Sequence, residues 1–365
     1  MRVPERFSEP LDTAHYWAHA SPAPSSLEED MMRTPLTDRL GIDVPIIQAA
    51  IGTATCPSLA AAVSNAGGLG MLALTGADDA EVRLLIRETR ALTGRPFGVN
   101  LVLGWPDCPH EECLAACLDE GVPVVSFFWG DPVPFVARAH EAGAAVLHTA
   151  GSVEEAQHAV AGGVDIVVAQ GWEAGGHVRG TIATLPLVRA VVDAVKPTPV
   201  VAAGGIADGR GLAAVLALGA SGAWIGTRFL ASEEAAIHPR YRELVLAAKE
   251  SDTVYTELFD VLWPNAPHRV LRNKTVEGWE AAGRPRSGER PGEDEVVATS
   301  PGRQIKRYSS VTPVADLEGD IDALALWAGQ GVGLVKRVQP AAAIVREIAQ
   351  EAESTLRRLA QAIDS

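Results

Sequence analysis

The sequence is poor in aromatic residues, in cysteine and in positive charge, and it contains no long apolar run. Lys and Arg number 31 against 46 Asp and Glu, a formal net charge of −15. Phosphate-backbone binding rests on Lys and Arg, so this balance argues against nucleic acid as a partner. It argues equally against an anionic membrane surface. A small anionic ligand stays compatible with it, because a local site can oppose the global charge. The four cysteines, Cys56, Cys108, Cys113 and Cys117, make no disulfide framework in 365 residues. They suit a reducing, cytoplasmic setting. The Cys108, Cys113, Cys117 spacing with His110 nearby fits no common zinc pattern, so no metal is expected. No apolar run reaches the roughly 20 residues that cross a bilayer. Residues 1–33 lack the apolar core of a signal peptide, are polar and proline-bearing, and are expected to be a poorly ordered extension. A G-x-S-x-G elbow, a P-loop GK[ST] and a G-x-G-x-x-G after the first strand are all absent.

What the chain does have is a core of Ala, Val, Leu and Gly, with 47% hydrophobic residues against 5% aromatics. From Pro45 to Leu230 short apolar runs alternate with stretches of helical periodicity. The predicted strands are 44–50, 68–74, 97–103, 122–128, 144–150, 164–170, 198–204 and 222–229. Several intervening helices begin at Ser, Asp or Pro and end at Gly. The strands read as continuous apolar runs, which suits parallel strands buried on both faces. Eight such units predict an α/β protein, a closed (β/α)8 TIM barrel over 34–235. The rhythm then breaks. Residues 236–335 are expected to form a smaller, mostly helical cap, with an exposed polar loop near 281–297. Residues 336–365 read as a long amphipathic helix that packs back on the barrel.

Barrels of this kind carry their active sites at the C-terminal strand ends, with phosphate bound after strands seven and eight. Strand seven ends in Gly204 and Gly205, and strand eight in Gly226 and Thr227. Their exposed amides, the Thr227 hydroxyl and the following helix N-termini suit a phosphate. The loop after strand six is GWEAGGHVRG, with four glycines around a single imidazole. Gly175 and Gly176 let backbone approach a flat ligand. His177 is then left in a permissive loop on the catalytic face, where it can act as acid or base. The bland alternative is a solvated loop histidine. Gln48, Asn100 and Gln170 place amides at the rim, where each serves either neighbouring backbone or a ligand. His148 on strand five is as consistent with a satisfied core histidine as with a ligand contact. Trp129, Trp263 and Trp327 either line a pocket or belong to the core.

Taken together, the segments PIIQAAIGTATCPSLAAAVSNAGGLGMLAL, RPFGVNLVL, DIVVAQGWEAGGHVRG, PVVAAGGIADGRGLAAVLALGA, GTRFLASEEAAIHPRY and WAGQGVGLVKRV resemble the nitronate monooxygenase family. The resemblance implies an FMN-containing barrel that oxidises alkyl nitronates with O2 to a carbonyl compound and nitrite. By this resemblance Gln48, Ala49, Ala50, Ile51, Asn100 and Gln170 approach the isoalloxazine, and Gly175 borders it. Gly204, Gly205, Gly226 and Thr227 hold the FMN phosphate, and His177 matches the family's base or substrate-orienting histidine. The partners implied are a nitronate or nitroalkane and O2; a homo-oligomer is compatible with the sequence and not specified by it. Flavin-dependent enoyl-acyl-carrier-protein reductases and NADH:quinone reductases share the GGH and GTRFL features and remain alternatives, as does a non-catalytic barrel that binds flavin or a phosphorylated ligand. A barrel of the IMP dehydrogenase type is disfavoured by the missing loop-six cysteine.

Overall fold

The computed structural model describes residues 32–105 and 108–364. The expected N-terminal extension lies outside these residues, apart from its last two positions. Eight parallel strands form the central sheet: β1 (Ile46–Gln48), β2 (Gly70–Ala73), β3 (Phe97–Val102), β4 (Val124–Phe128), β5 (Ala145–Ala150), β6 (Ile166–Gln170), β8 (Val200–Ala203) and β9 (Gly222–Ile225). Each falls inside a predicted strand. β1 pairs with β9 at one end of the order, and a parallel bridge between Ile47 and Leu69 closes the barrel at the other. The Gln48 backbone N–H donates to Leu69 O at 2.9 Å, and Leu69 N to Ile46 O at 2.9 Å, across this seam.

Alternate strand residues sort into two environments, as a period of two requires. Met71, Val124, Leu147, Val168 and Val201 share one cluster with Leu36 and Leu40. The last two belong to α1 (Pro35–Leu40), which plugs the N-terminal end of the barrel. Val99, Val125, Phe127 and Val146 instead pack outward, against α3 (Asp79–Leu92), α4 (His110–Asp119) and α5 (Val133–Glu141), the helices that follow α2 (Pro57–Asn65). The helices start where their caps dictate. Asp78 accepts from Glu81 N ahead of α3, Ser152 from Glu155 N ahead of α6 (Val153–Ala161), and Asp208 from Gly211 N ahead of α8 (Gly209–Ala217). α7 (Thr184–Val195) completes the ring between β6 and β8.

The expectation of a mostly helical cap needs correction. Between 236 and 335 the chain forms α9 (Pro239–Ala247) and α10 (Lys274–Ala281), but also β10 (Thr253–Thr256), β11 (His268–Leu271), β12 (Val296–Ser300), β13 (Arg303–Lys306) and β14 (Glu318–Gly319). The physical reason is a long-range pairing. The loop after β6 contributes a two-residue strand, β7 (Gly176–His177), which pairs antiparallel with β11, and β11 with β10. This segment is thus knitted to the barrel mouth. The 281–297 loop is tied down as well. Arg290 is buried, donating to Asp260 Oδ1 at 2.9 Å and Leu258 O at 3.0 Å. α11 (Ala341–Asp364) packs against α8. Ile344, Val345, Ile348 and Ala352 are buried in the cluster that contains Leu212 of α8. No helix among the described residues is long and apolar enough to cross a membrane.

Candidate active site

A cleft of about 640 Å³ opens at the C-terminal ends of the barrel strands. Ala49, Ala50, Ile51, Asn100, Gln170, Gly175, His177, Gly204, Gly205, Gly226 and Thr227 all line it, so eleven of the twelve predicted site residues meet in one place. The twelfth, Gln48, is consumed by the fold. It is fully buried; its Oε1 accepts from Met71 N at 3.0 Å and its Nε2 donates to Ala49 O. Its amide serves the barrel seam. The three rim amides therefore have three fates. Gln170 brackets the histidine loop, with Nε2 donating to His177 O at 3.1 Å and Oε1 accepting from Arg179 N at 3.2 Å. Asn100 is 7% exposed and, among the described residues, its side chain makes no hydrogen bond. It is the rim amide that the described chain leaves unpartnered.

β7 and β11 set the position of His177. Its Nε2 is buried without a partner, and an orphaned polar atom in a native site calls for an explanation. Aromatic rings surround the imidazole. Trp263 stands 4.2 Å away between centroids, Trp327 5.2 Å, His268 5.4 Å and Trp129 6.3 Å. Burial, and then the neighbouring His268, hold the His177 pKa well below the usual 6.5. The ring is neutral at physiological pH. His268 cannot relay its proton, since Nδ1 bonds Ala266 O at 2.8 Å and Nε2 accepts from Phe259 N at 3.2 Å. Burial also lowers the pKa of His268 to about 4.

His148 resolves away from the cleft. It is buried on β5 with an unpartnered Nδ1, and burial brings its pKa to about 4. It faces a smaller cavity of about 180 Å³ shared with Trp129, Asp131, Glu155, His158 and Arg179. Cys113 and Cys117, on one face of α4, line neither cavity and are buried in the core between that helix and the barrel strands. Three neutral buried histidines make the fold acid-sensitive. Their pKa values are lower in the folded state than the ordinary 6.5, so the unfolded chain binds more protons below that pH. Stability is full above pH 6.5 and falls as pH drops towards 4. His148 and His268 each contribute a loss on the order of 3 kcal/mol by about pH 4. Thermal melts between pH 7.5 and about 4.5 are expected to fall from about pH 6.5, above the carboxylate range; a level melting temperature down to about pH 5 would contradict this.

The glycine loops offer free donors of the kind a phosphate ester takes. Gly204 and Gly205 adopt φ of +106° and +73°, which favours glycine. Among the described residues, the amides of Gly204, Gly205 and Gly226 donate to no other group of the chain. These three donors line one cleft. The helix N-terminus does not join them. Gly209 N and Gly211 N at the start of α8 are taken by the carboxylates of Glu351 and Asp208, each at 2.8 Å. The segment after 326, matched in sequence but given no role, completes the cradle. Gly329 N donates to Thr227 Oγ1 at 3.0 Å, Gln330 N to Glu173 O at 2.9 Å, and Gly329 and Gly331 line the cleft. Trp105, Leu262 and Thr312 also line it and carry no motif of their own.

The sequence profile described as nitronate monooxygenase matches residues 33–115 and 108–351. The chain belongs to the nitronate monooxygenase family. It is 36% identical over 366 residues to a nitronate monooxygenase of Pseudomonas aeruginosa, covering 87% of this chain and 99% of that relative. It is also 40% identical over 257 residues to (3aS,4S,5R,7aS)-5-hydroxy-7a-methyl-1-oxo-octahydro-1H-indene-4-carboxyl-CoA dehydrogenase of Mycobacterium tuberculosis, covering 70% of each. Among solved structures, FabK from Thermotoga maritima superposes with a TM-score of 0.77 at 35% identity, over 90% of this chain and 99% of that one. This member of the nitronate monooxygenase family is an enzyme, and the family is in general flavin-dependent.

Proposed function

We propose that the chain is an FMN-dependent nitronate monooxygenase that converts alkyl nitronates and O2 to a carbonyl compound and nitrite. The observation that carries this reading is His177, a neutral imidazole with an orphaned buried Nε2 on the wall of a cleft whose other lining includes three free glycine amides. The residues fit FMN. The amides of Gly204, Gly205 and Gly226 and the Thr227 side would hold its phosphate, and Ala49–Ile51, Asn100, Gln170 and Gly175 would border the ring. Bound there, a flavin supplies electron transfer from an electron-rich carbon to oxygen.

The chain supplies the rest. A neutral His177 takes the proton from the carbon next to a nitro group, or donates a hydrogen bond to the nitronate oxygens. An anion in a water-poor site favours the protonated ring strongly, because charge pairs act in a low dielectric. The depressed pKa of the empty-handed histidine is therefore matched to an anionic partner. Gln170 keeps the loop in register by gripping backbone on both sides of the ring.

A second reading is favoured by one finding, the 40% identity to a carboxyl-CoA dehydrogenase. In that reading the same site handles a proton next to a thioester carbonyl, with a nicotinamide as the electron partner. Oxygen uptake and nitrite release with ethyl nitronate, measured with and without NADH, separate the two. Turnover that needs no nicotinamide supports the monooxygenase. NADH oxidation without nitronate turnover moves the assignment to the second reading.

A further inference from the structure

Beyond the residues assigned to the flavin, the cleft lining includes the large apolar side chains of Trp105, Phe128, Leu262, Trp263, Val311 and Trp327. In a chain with only 5% aromatics, Trp105, Trp263 and Trp327 stand together on this wall, and Trp129, which lines the smaller cavity, packs behind Trp263. Trp263 is the hub. It packs on Trp105 at 5.1 Å, on Trp129 at 5.0 Å and on His177 at 4.2 Å.

The wall is rigid by construction. Trp129 holds φ +58°, a left-handed conformation that a bulky side chain rarely adopts. Its ring occupies a notch at Gly104, where a Cβ would come within 2.5 Å of Trp129 Cδ1. Arg179 lies over that ring, 5.5 Å from its centroid, and forms an ion pair with Glu155 at 3.0 Å. The Trp263 segment is anchored through Asp260 to buried Arg290. Strain of this kind persists where the surroundings enforce it, and it clusters at ligand sites.

The electrostatics point the same way. Among the described residues, the charged groups lining the cleft apart from the neutral His177 are Glu81 and Arg303, and both are exposed. Among these residues the interior holds no cation to meet a carboxylate on the substrate's side chain. Flat indole faces do offer dispersion and ring–ring contact.

We propose that the substrate side of the cleft recognises an uncharged, ring-bearing body attached to the reacting carbon, with Trp263 as the specificity-determining residue. This rests on the reading that His177 meets the reacting carbon. A short acid such as propionate 3-nitronate gains none of the ring contacts, while its carboxylate is desolvated without a partner.

The test uses the FMN-loaded enzyme. The kcat/KM for phenylnitromethane nitronate is expected to exceed that for propionate 3-nitronate by about tenfold or more. Trp263→Ala, with Trp263→Leu as the milder variant if alanine disturbs folding, removes most of that ratio. A second arm needs no turnover. Tryptophan fluorescence titration of the oxidised enzyme with acetophenone and with acetone is expected to show about tenfold tighter binding of the aromatic ketone, lost in the Trp263 variants. Aromatic preference in binding with no nitronate turnover would sink the nitronate reading and leave the pocket assignment standing. Equal binding of the two ketones, a preference for propionate 3-nitronate, or a ratio unmoved in a folded, flavin-loaded Trp263 variant would overturn the proposal.

Discussion

Replacing His177 with alanine is expected to leave flavin bound and to lower turnover of a neutral nitroalkane by about 100- to 10,000-fold. The residue belongs to the cleft wall and not to the glycine cradle. Its backbone is held by β11 and by Gln170, and neither contact uses the imidazole. The loss is thus chemical. It removes the one ring nitrogen on the wall that, among the described residues, is buried and unpartnered. Because burial and His268 hold the ring neutral below its ordinary 6.5, kcat/KM for a nitroalkane is expected to stay level as pH falls to that value, with any acid limb below it. Steady-state rates at matched flavin content decide the matter. Parent-like turnover in His177→Ala would remove the imidazole from the reaction.

The second large effect is expected at Gly175. A Cβ built there would run into the backbone nitrogen of Gly329 and come within 2.5 Å of the carbonyl carbon of Ala328. Both obstacles are main chain, so no side-chain rotation relieves them. Gly175→Ala must push the loop after β6 away from the 327–331 segment. That breaks the seam made by Gln330 N to Glu173 O and Gly329 N to Thr227 Oγ1. A stability loss of about 2–3 kcal/mol is expected, the scale of overpacking in a filled interior. Flavin should be lost with it, because both halves of the cradle separate. Gly176→Ala is the internal comparison. A Cβ there meets nothing within 4 Å, and only its φ of +72° is unfavourable, so about 1 kcal/mol is expected. Thermal melts and flavin content after gel filtration read both variants. Equal losses for the two would show that the close approach to Gly329 is not what holds the site together.

The barrel was legible because buried parallel strands are continuous apolar runs, and all eight carry that pattern. The glycine loops were legible by position, at the ends of β8 and β9. The fates of the rim amides were not. Gln48 and Asn100 are both amides in apolar strands, and nothing local separates them. The difference is that Gln48 reaches Met71 N across the barrel seam, whereas Asn100 reaches no partner among the described residues. The environment of His177 was equally hidden. GGH reads as a free loop, yet its strand partner His268 lies far along the chain with no hairpin signal between them. The same pairing explains why residues 236–335 are not mostly helical. The Asp208 cap was visible as a helix start, but Glu351, which takes Gly209 N on α8, comes from α11. Two carboxylates occupy the amides of that terminus, so a phosphate bound in the cleft would rest on the loop glycines alone, a narrower site than the sequence suggests.

The central claim is that this cleft holds FMN and lets a nitronate reduce it without a nicotinamide. The most direct test is anaerobic mixing of the FMN-loaded protein with ethyl nitronate, followed in the visible spectrum, with NADH mixed separately. The expected result is bleaching of the flavin band by the nitronate and little change with NADH. A protein that cannot be loaded with FMN, or one bleached by NADH alone, would contradict the account.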